Sequence, residues 1–241
     1  MYILHTHRFN MPQLNRERTI RVLMPRNYFE LDNRYPVIYM QDGQNLFDPS
    51  TAFGGNDWKI PVTLSKLSLK KQAIIVGIDN GDVDRMNEYA PFKRGKGGGE
   101  GDQYIHFIIE TLKPFIDSEY RTMPHRETTG IAGSSMGGLI ALYAGLKYGE
   151  VFGKVGVLSP SIWFNPKVMD LVNTSNLSSQ FYIAGSKNEM KGMDTTLHNI
   201  YWTFKKRNIS DEQLRVVVRD KGKHNEIMWS RELKDMFEWY F

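Results

Sequence analysis

Short, almost wholly apolar runs recur along this chain, and longer stretches with helical periodicity separate them. The runs fall at residues 19–24, 37–40, 73–78, 129–132, 154–158, 181–184 and 214–218. A strand that is apolar on both sides must be covered on both sides, which is the condition of parallel strands between layers of helix. The intervening stretches supply those layers. Residues 103–117 place Ile105, Ile108, Ile109, Leu112 and Ile116 on one helical face. Residues 136–148, 194–206 and 226–239 are the other clear helices. Strand and helix in alternation imply an α/β fold, a mostly parallel central sheet with helices on both faces. No internal repeat and no long linker divides the chain, so its 241 residues are expected to form a single domain, 1–241.

Composition narrows the chemistry. The chain has no cysteine, which excludes disulfides, thiolate metal sites and a cysteine nucleophile. Its net charge of +4 is spread along the sequence rather than gathered into a run, so nucleic acid is not an expected partner. No apolar stretch has the length of a membrane span, and the first residues lack the apolar core of a secretory signal. A cytoplasmic location is the expectation by default.

Gly133-Ser134-Ser135-Met136-Gly137 matches G-x-S-x-G, and only Ser135 has glycine at both −2 and +2. A strand runs directly into the motif and a helix follows at once, which is the context a nucleophile elbow requires. Small residues must flank a turn this tight, because strand and helix approach closely there. The helix start also presents backbone N–H groups and the positive end of its dipole beside the serine, where an oxyanion would develop. Ser135 is the expected nucleophile.

A serine hydroxyl needs a base within hydrogen-bond reach. In this type of site the chain order is serine, acid, histidine. Of the two histidines after Ser135, His198 lies inside a helical pattern. His224 follows the strand at 214–218 and a short loop, at the strand end where sites of open α/β sheets lie. His224 is therefore the expected base. The acid should follow the strand at 181–184, where Glu189 is the nearest carboxylate and Asp194 the alternative. Oxyanion donors are expected from the N–H groups of Met136 and of Gln44, the latter in the loop Gln41-Asp42-Gly43-Gln44-Asn45.

These residues together resemble the esterase D-like branch of the α/β-hydrolases, which includes carbohydrate acetyl and feruloyl esterases, siderophore esterases, formylglutathione hydrolases and mycolyltransferases. The resemblance rests on the segment from Met40 to Asp48, on Val76-Gly77-Ile78-Asp79-Asn80-Gly81, and on Arg85 with Glu88-Tyr89-Ala90-Pro91. It continues through Pro114-Phe115-Ile116-Asp117, Tyr120-Arg121-Thr122, the elbow, Leu158-Ser159-Pro160-Ser161 and His224-Asn225-Glu226. It implies an α/β-hydrolase fold, the nucleophile at Ser135, the base at His224 and the acid near Glu189. Gln41-Asp42-Gly43 stands where many relatives carry a His-Gly pair.

The expected reaction is acyl transfer through an acyl-enzyme, on a small-molecule ester and without cofactor or metal. The span between the strands at 154–158 and 181–184 is too short for a large cap, which favours short-acyl esters over long lipids. The sequence leaves open a sugar, a small alcohol or a siderophore as leaving group, an acyltransferase, and a non-catalytic binding protein; it gives no oligomeric state. Arg85 is a candidate for the pocket mouth or a tie of its loop. Trp163, with Phe164, is a candidate aromatic wall or ordinary packing. The segment Lys93 to Gly101 reads as a mobile surface loop or a basic rim beside the site. Asp79, Asp82 and Asp84 fail the alternation of a calcium loop, and His5 and His7 lack partners for a metal.

Overall fold

The computed structural model describes residues 2–241. Its eight strands form one sheet: β1 (Ile3–Met11), β2 (Arg16–Met24), β3 (Val37–Gln41), β4 (Ile74–Ile78), β5 (Thr129–Ser134), β6 (Lys154–Leu158), β7 (Gln180–Ser186) and β8 (Leu214–Arg219), in the order β1-β2-β4-β3-β5-β6-β7-β8. β1 pairs antiparallel with β2 and β2 antiparallel with β4; every pairing from β4 to β8 is parallel. The chain winds from β3 out to β4, then returns to the other side of β3 with β5. The strand order therefore reverses between β3 and β5, and a crevice opens at their carboxyl ends.

The helices are α1 (Ile60–Ser65), α2 (Arg85–Glu88), α3 (Gly101–His106), α4 (Lys113–Glu119), α5 (Met136–Lys147), α6 (Leu171–Thr174), α7 (Met193–Lys205) and α8 (Glu226–Tyr240). A π-helical turn, Phe107–Leu112, joins α3 to α4 without a break. Although the inner strands are buried throughout, their side chains still alternate between two cores. Val37, Tyr39, Val155, Val157, Phe181 and Ile183 face the core shared with α3, α5 and α7. Ile38, Met40, Tyr182 and Ala184 face the core shared with α1 and α8. This is the two-sided burial expected of parallel strands. Among the described residues no helix is long and apolar enough to cross a membrane.

β1 is not foreshadowed by the apolar runs. Its sequence, ILHTHRFNM, is mostly exposed, and as an edge strand it has one neighbour and no need of two apolar faces. β2 begins three residues before the expected run for the same reason: its first turns pair with β1, away from the centre.

The candidate active site

Ser135 joins β5 to α5 with φ 57° and ψ −119°, a positive φ that costs energy in a residue with a Cβ. Three backbone hydrogen bonds hold it there. Its N–H donates to the Leu158 carbonyl (2.9 Å), and its own carbonyl accepts from Leu139 (3.1 Å) and Ser161 (3.0 Å). The flanking glycines are a steric necessity. A Cβ on Gly133 would stand 2.6 Å from the Gly137 carbonyl oxygen, and one on Gly138 2.8 Å from that of Leu158.

The Ser135 Oγ lies 2.9 Å from His224 Nε2 and 3.3 Å from Ser161 Oγ. His224 comes from the loop between β8 and α8, whose first turn is capped by Asn225 accepting from the Met228 N–H. On the far side of the ring, Nδ1 faces Glu189 Oε1 at 3.9 Å. The Glu189 side chain is fully buried, and among the described residues neither of these two atoms has another hydrogen-bond partner. Buried polar atoms are seldom left alone, so a small ring adjustment that closes this gap is favoured. Asp194, the alternative acid, sits in the first turn of α7 and accepts from its neighbour Thr195 (3.4 Å).

The second oxygen of Glu189 accepts from Ser159 Oγ (2.8 Å), which in turn accepts from the indole Nε1–H of Trp229 (2.9 Å). Trp229 also meets the His224 ring edge-to-face, with centroids 5.1 Å apart. Sequence reasoning did not single out Trp229, and it reached Ser159 only as part of a longer segment. The position of Ser159 just past a parallel strand was the available signal; for the indole there was none.

Met136 occupies the first position of α5, and Gln44 the middle of the 3-10 turn Gly43–Asn45. N–H groups at such starts have no partner within the helix; Gln44 lines the crevice, and Met136 directly follows Ser135. The turn is held firmly. Arg85 Nε and Nη2 donate to the two Asp42 oxygens (2.7 and 2.9 Å), and Asn80 Nδ2 adds a third bond to Oδ1 (2.7 Å). Tyr89 Oη accepts from the Asp42 N–H (3.1 Å), and the Asn80 N–H donates to the Gln44 side chain (3.1 Å). Asp42 has φ 56°, which turns the chain from β3 into this loop.

A cleft of about 580 Å³ contains Ser135 and His224, with Gln44, Asn45, Phe53, Asn80, Arg85 and Glu226 among its walls. Glu226 is buried; desolvation, reinforced by the nearby Asp42 charge, pushes its carboxyl above the ordinary glutamate range despite His224 and Arg85. Arg85 thus lies at the mouth and ties the loop as well. Trp163 is not in this cleft. It is 57% exposed and borders a separate hollow with Lys93 and Arg94, where the Arg94 guanidinium stacks 5.5 Å from its ring. The glycine-rich segment is bonded in place rather than loose: Gly99 and Gly101 donate to the Ala90 carbonyl, Gly98 to Asn87 Oδ1, and Arg94 and Gly97 pair with each other. His5 and His7 both contact the Tyr120 hydroxyl (3.2 and 2.8 Å). Among the described residues no three His, Cys, Asp or Glu side chains are grouped to hold a metal ion.

Chemically, the arrangement offers a hydroxyl on a strained turn, an imidazole 2.9 Å from it and a buried carboxyl group on the far side of that ring. Residues 11–240 match the family model described as "Putative esterase". The chain is similar to the uncharacterized protein YbbA of Bacillus subtilis (strain 168), 22% identical over 241 residues that span 93% of this chain and 92% of that one. Among solved structures, a ferulic acid esterase superposes with TM-score 0.78 at 18% identity, over 100% of this chain and 98% of the other. The siderophore hydrolase EstB of Aspergillus nidulans superposes with TM-score 0.78 at 18% identity, over 99% and 95%.

Proposed function

The chain belongs to the putative esterase family, and from that premise we propose that it is a serine hydrolase of short-acyl carboxylic esters, with polyhydroxylated alcohols such as sugars as leaving groups. The observation that carries the reading is the 2.9 Å contact between Ser135 Oγ and His224 Nε2 at a strained strand–helix turn.

His224 takes the Ser135 proton as Oγ attacks the ester carbonyl carbon. Glu189 stabilises the imidazolium so formed and orients its ring. The carbonyl oxygen becomes an oxyanion held by the N–H of Met136, at the start of α5 where the helix dipole adds to it, and by that of Gln44 in the turn after β3. His224 then returns the proton to the departing alcohol oxygen. A water, deprotonated by the same ring, attacks the acyl-enzyme and releases the acid and free Ser135. The two orphaned atoms, His224 Nδ1 and Glu189 Oε1, find their partners when the imidazole becomes charged.

Asn45, Thr51, Asn80 and Asp82 in the cleft wall favour a hydroxylated alcohol. The cleft disfavours a polyanionic siderophore complex, because Asp42 and Glu226 stand there and the guanidinium of Arg85 is already committed to Asp42. Lys93 and Arg94, the basic residues expected to attract such a ligand, face the other hollow.

Turnover of p-nitrophenyl esters by wild type and Ser135→Ala tests the assignment. Acetate to butyrate should be cleaved, and the variant should lose at least about 10³-fold in kcat. Turnover that survives the substitution removes Ser135 from the mechanism.

A further inference from the structure

Phe53 is 80% exposed, yet it forms part of the wall of the catalytic cleft. A lone apolar side chain in water is unremarkable in itself. Its surroundings are not. The loop that carries it is fastened to the residues of the oxyanion turn: the Phe53 N–H donates to Asn45 Oδ1 (2.9 Å), and Thr51 Oγ1 donates to the Gln44 carbonyl (2.7 Å). Asn45 is itself buried and donates from its other end to Glu226 (3.4 Å). Gly54 and Gly55 follow with φ 65° and 70°, and a Cβ on either would meet nothing within 4 Å. The backbone thus places an exposed aromatic side chain in the wall of the cleft, with open space beside the two glycines that follow it.

His224 must protonate the departing oxygen, so the alcohol half passes beside His224, in a cleft whose wall Phe53 shares. Thr51, Asn80 and Asp82 line the same cleft and offer polar groups to hydroxyls. An exposed aromatic plate in a cleft that also carries polar side chains matches a molecule with a C–H face and a hydroxylated edge. Resting on the ester-hydrolase reading above, we propose that Phe53 is the platform on which the pyranose ring of a sugar-ester substrate stacks, with its hydroxyls directed to Thr51, Asn80 and Asp82.

The experiment measures kcat/KM of the full chain for an acetylated methyl xylopyranoside, for ethyl acetate and for methyl ferulate, in wild type, Phe53→Ala and Phe53→Trp. Phe53 is exposed, so both variants should fold, and thermal denaturation checks it. The ratio of kcat/KM for the pyranoside over ethyl acetate should fall about 3–10-fold in Phe53→Ala, mostly through KM, and be kept or raised in Phe53→Trp. An unaltered ratio, or equal losses on both esters, overturns the platform and leaves the loop as a mere support of Gln44. A wild type that cleaves ethyl acetate but not the pyranoside overturns it too. A loss confined to methyl ferulate overturns it in favour of an aromatic acyl plate. Inertness of the wild type towards all three esters and towards p-nitrophenyl acetate is a different failure: it removes the ester-hydrolase reading itself.

Discussion

Ser159 has one proton to give. The Trp229 indole occupies its acceptor side, so that proton goes to Glu189 Oε2. The carboxylate is thereby held with its other oxygen towards His224. Ser159→Ala leaves a buried carboxylate oxygen and an indole N–H without partners. Loss of a hydrogen bond to a charged group costs about 1.5–3 kcal/mol, so kcat should fall about 10–100-fold. KM should move little, because Ser159 is not a wall of the cleft. Glu189→Gln should be worse, up to about 10⁴-fold in kcat. Steady-state kinetics of the two variants checks both; equal KM effects without kcat effects would point to substrate contact instead. Glu226 gives a pH test. Its carboxyl is pushed up by burial, so the folded state binds that proton more tightly than the unfolded chain. Stability is lost as pH rises from the ordinary glutamate range through the raised value. Glu226→Gln removes the loss, so its gain in Tm should be present at pH 7 and vanish below about pH 4. That Ser135 sits on the turn and His224 beside it was legible, because the elbow demands particular residue types at fixed spacing and the sheet order brings the loop after β8 to it. The neutral partners of Glu189 were not, since a serine and a tryptophan far apart in sequence carry no mark of facing each other.

At the scale of elements, periodicity located the inner strands and the long helices, because each has a buried face that repeats at 2.0 or 3.6 residues. It could not show that the helix expected at 103–117 contains a π-helical turn, or that it starts at Gly101 and ends at Glu119. Those details come from tertiary contacts. One such contact ties the helix to α5: Asp102 accepts from Tyr143 (2.6 Å), Lys147 (2.7 Å) and Tyr148. Burial works against the charge, but Lys147 and the two tyrosine hydroxyls hold the Asp102 carboxyl down at about 2. A depressed value means stability that is present above the ordinary aspartate range and lost as pH falls towards 2. Asp102 is partly exposed, so the effect is discounted to about 1 kcal/mol. Asp102→Asn should lower Tm by about 2–4 °C at pH 7. The gap to wild type should close between about pH 4 and pH 2, as thermal scans across that range would show.

For the molecule as a whole, the sheet does the assembling. Gln44, Ser135, Ser159, Glu189 and His224 follow β3, β5, β6, β7 and β8, all at the carboxyl ends of parallel strands. The α8 helix completes the frame, since His224 enters it and Leu233, Met236 and Phe237 bury its other end fully against the sheet. Phe237→Ala should cost about 3–5 kcal/mol and lower Tm by roughly 10 °C. The retained activity per folded molecule, measured below the new transition, should stay near that of wild type if helix and site are coupled only through stability. Between β6 and β7 the chain forms only a 3-10 turn, Pro166–Asp170, and the single-turn α6. That connection is too short to fold over the cleft. An enzyme built this way has nothing to be pried open by an oil–water boundary. Its rate on a sparingly soluble ester should follow one smooth saturation curve through the solubility limit, with no interfacial activation.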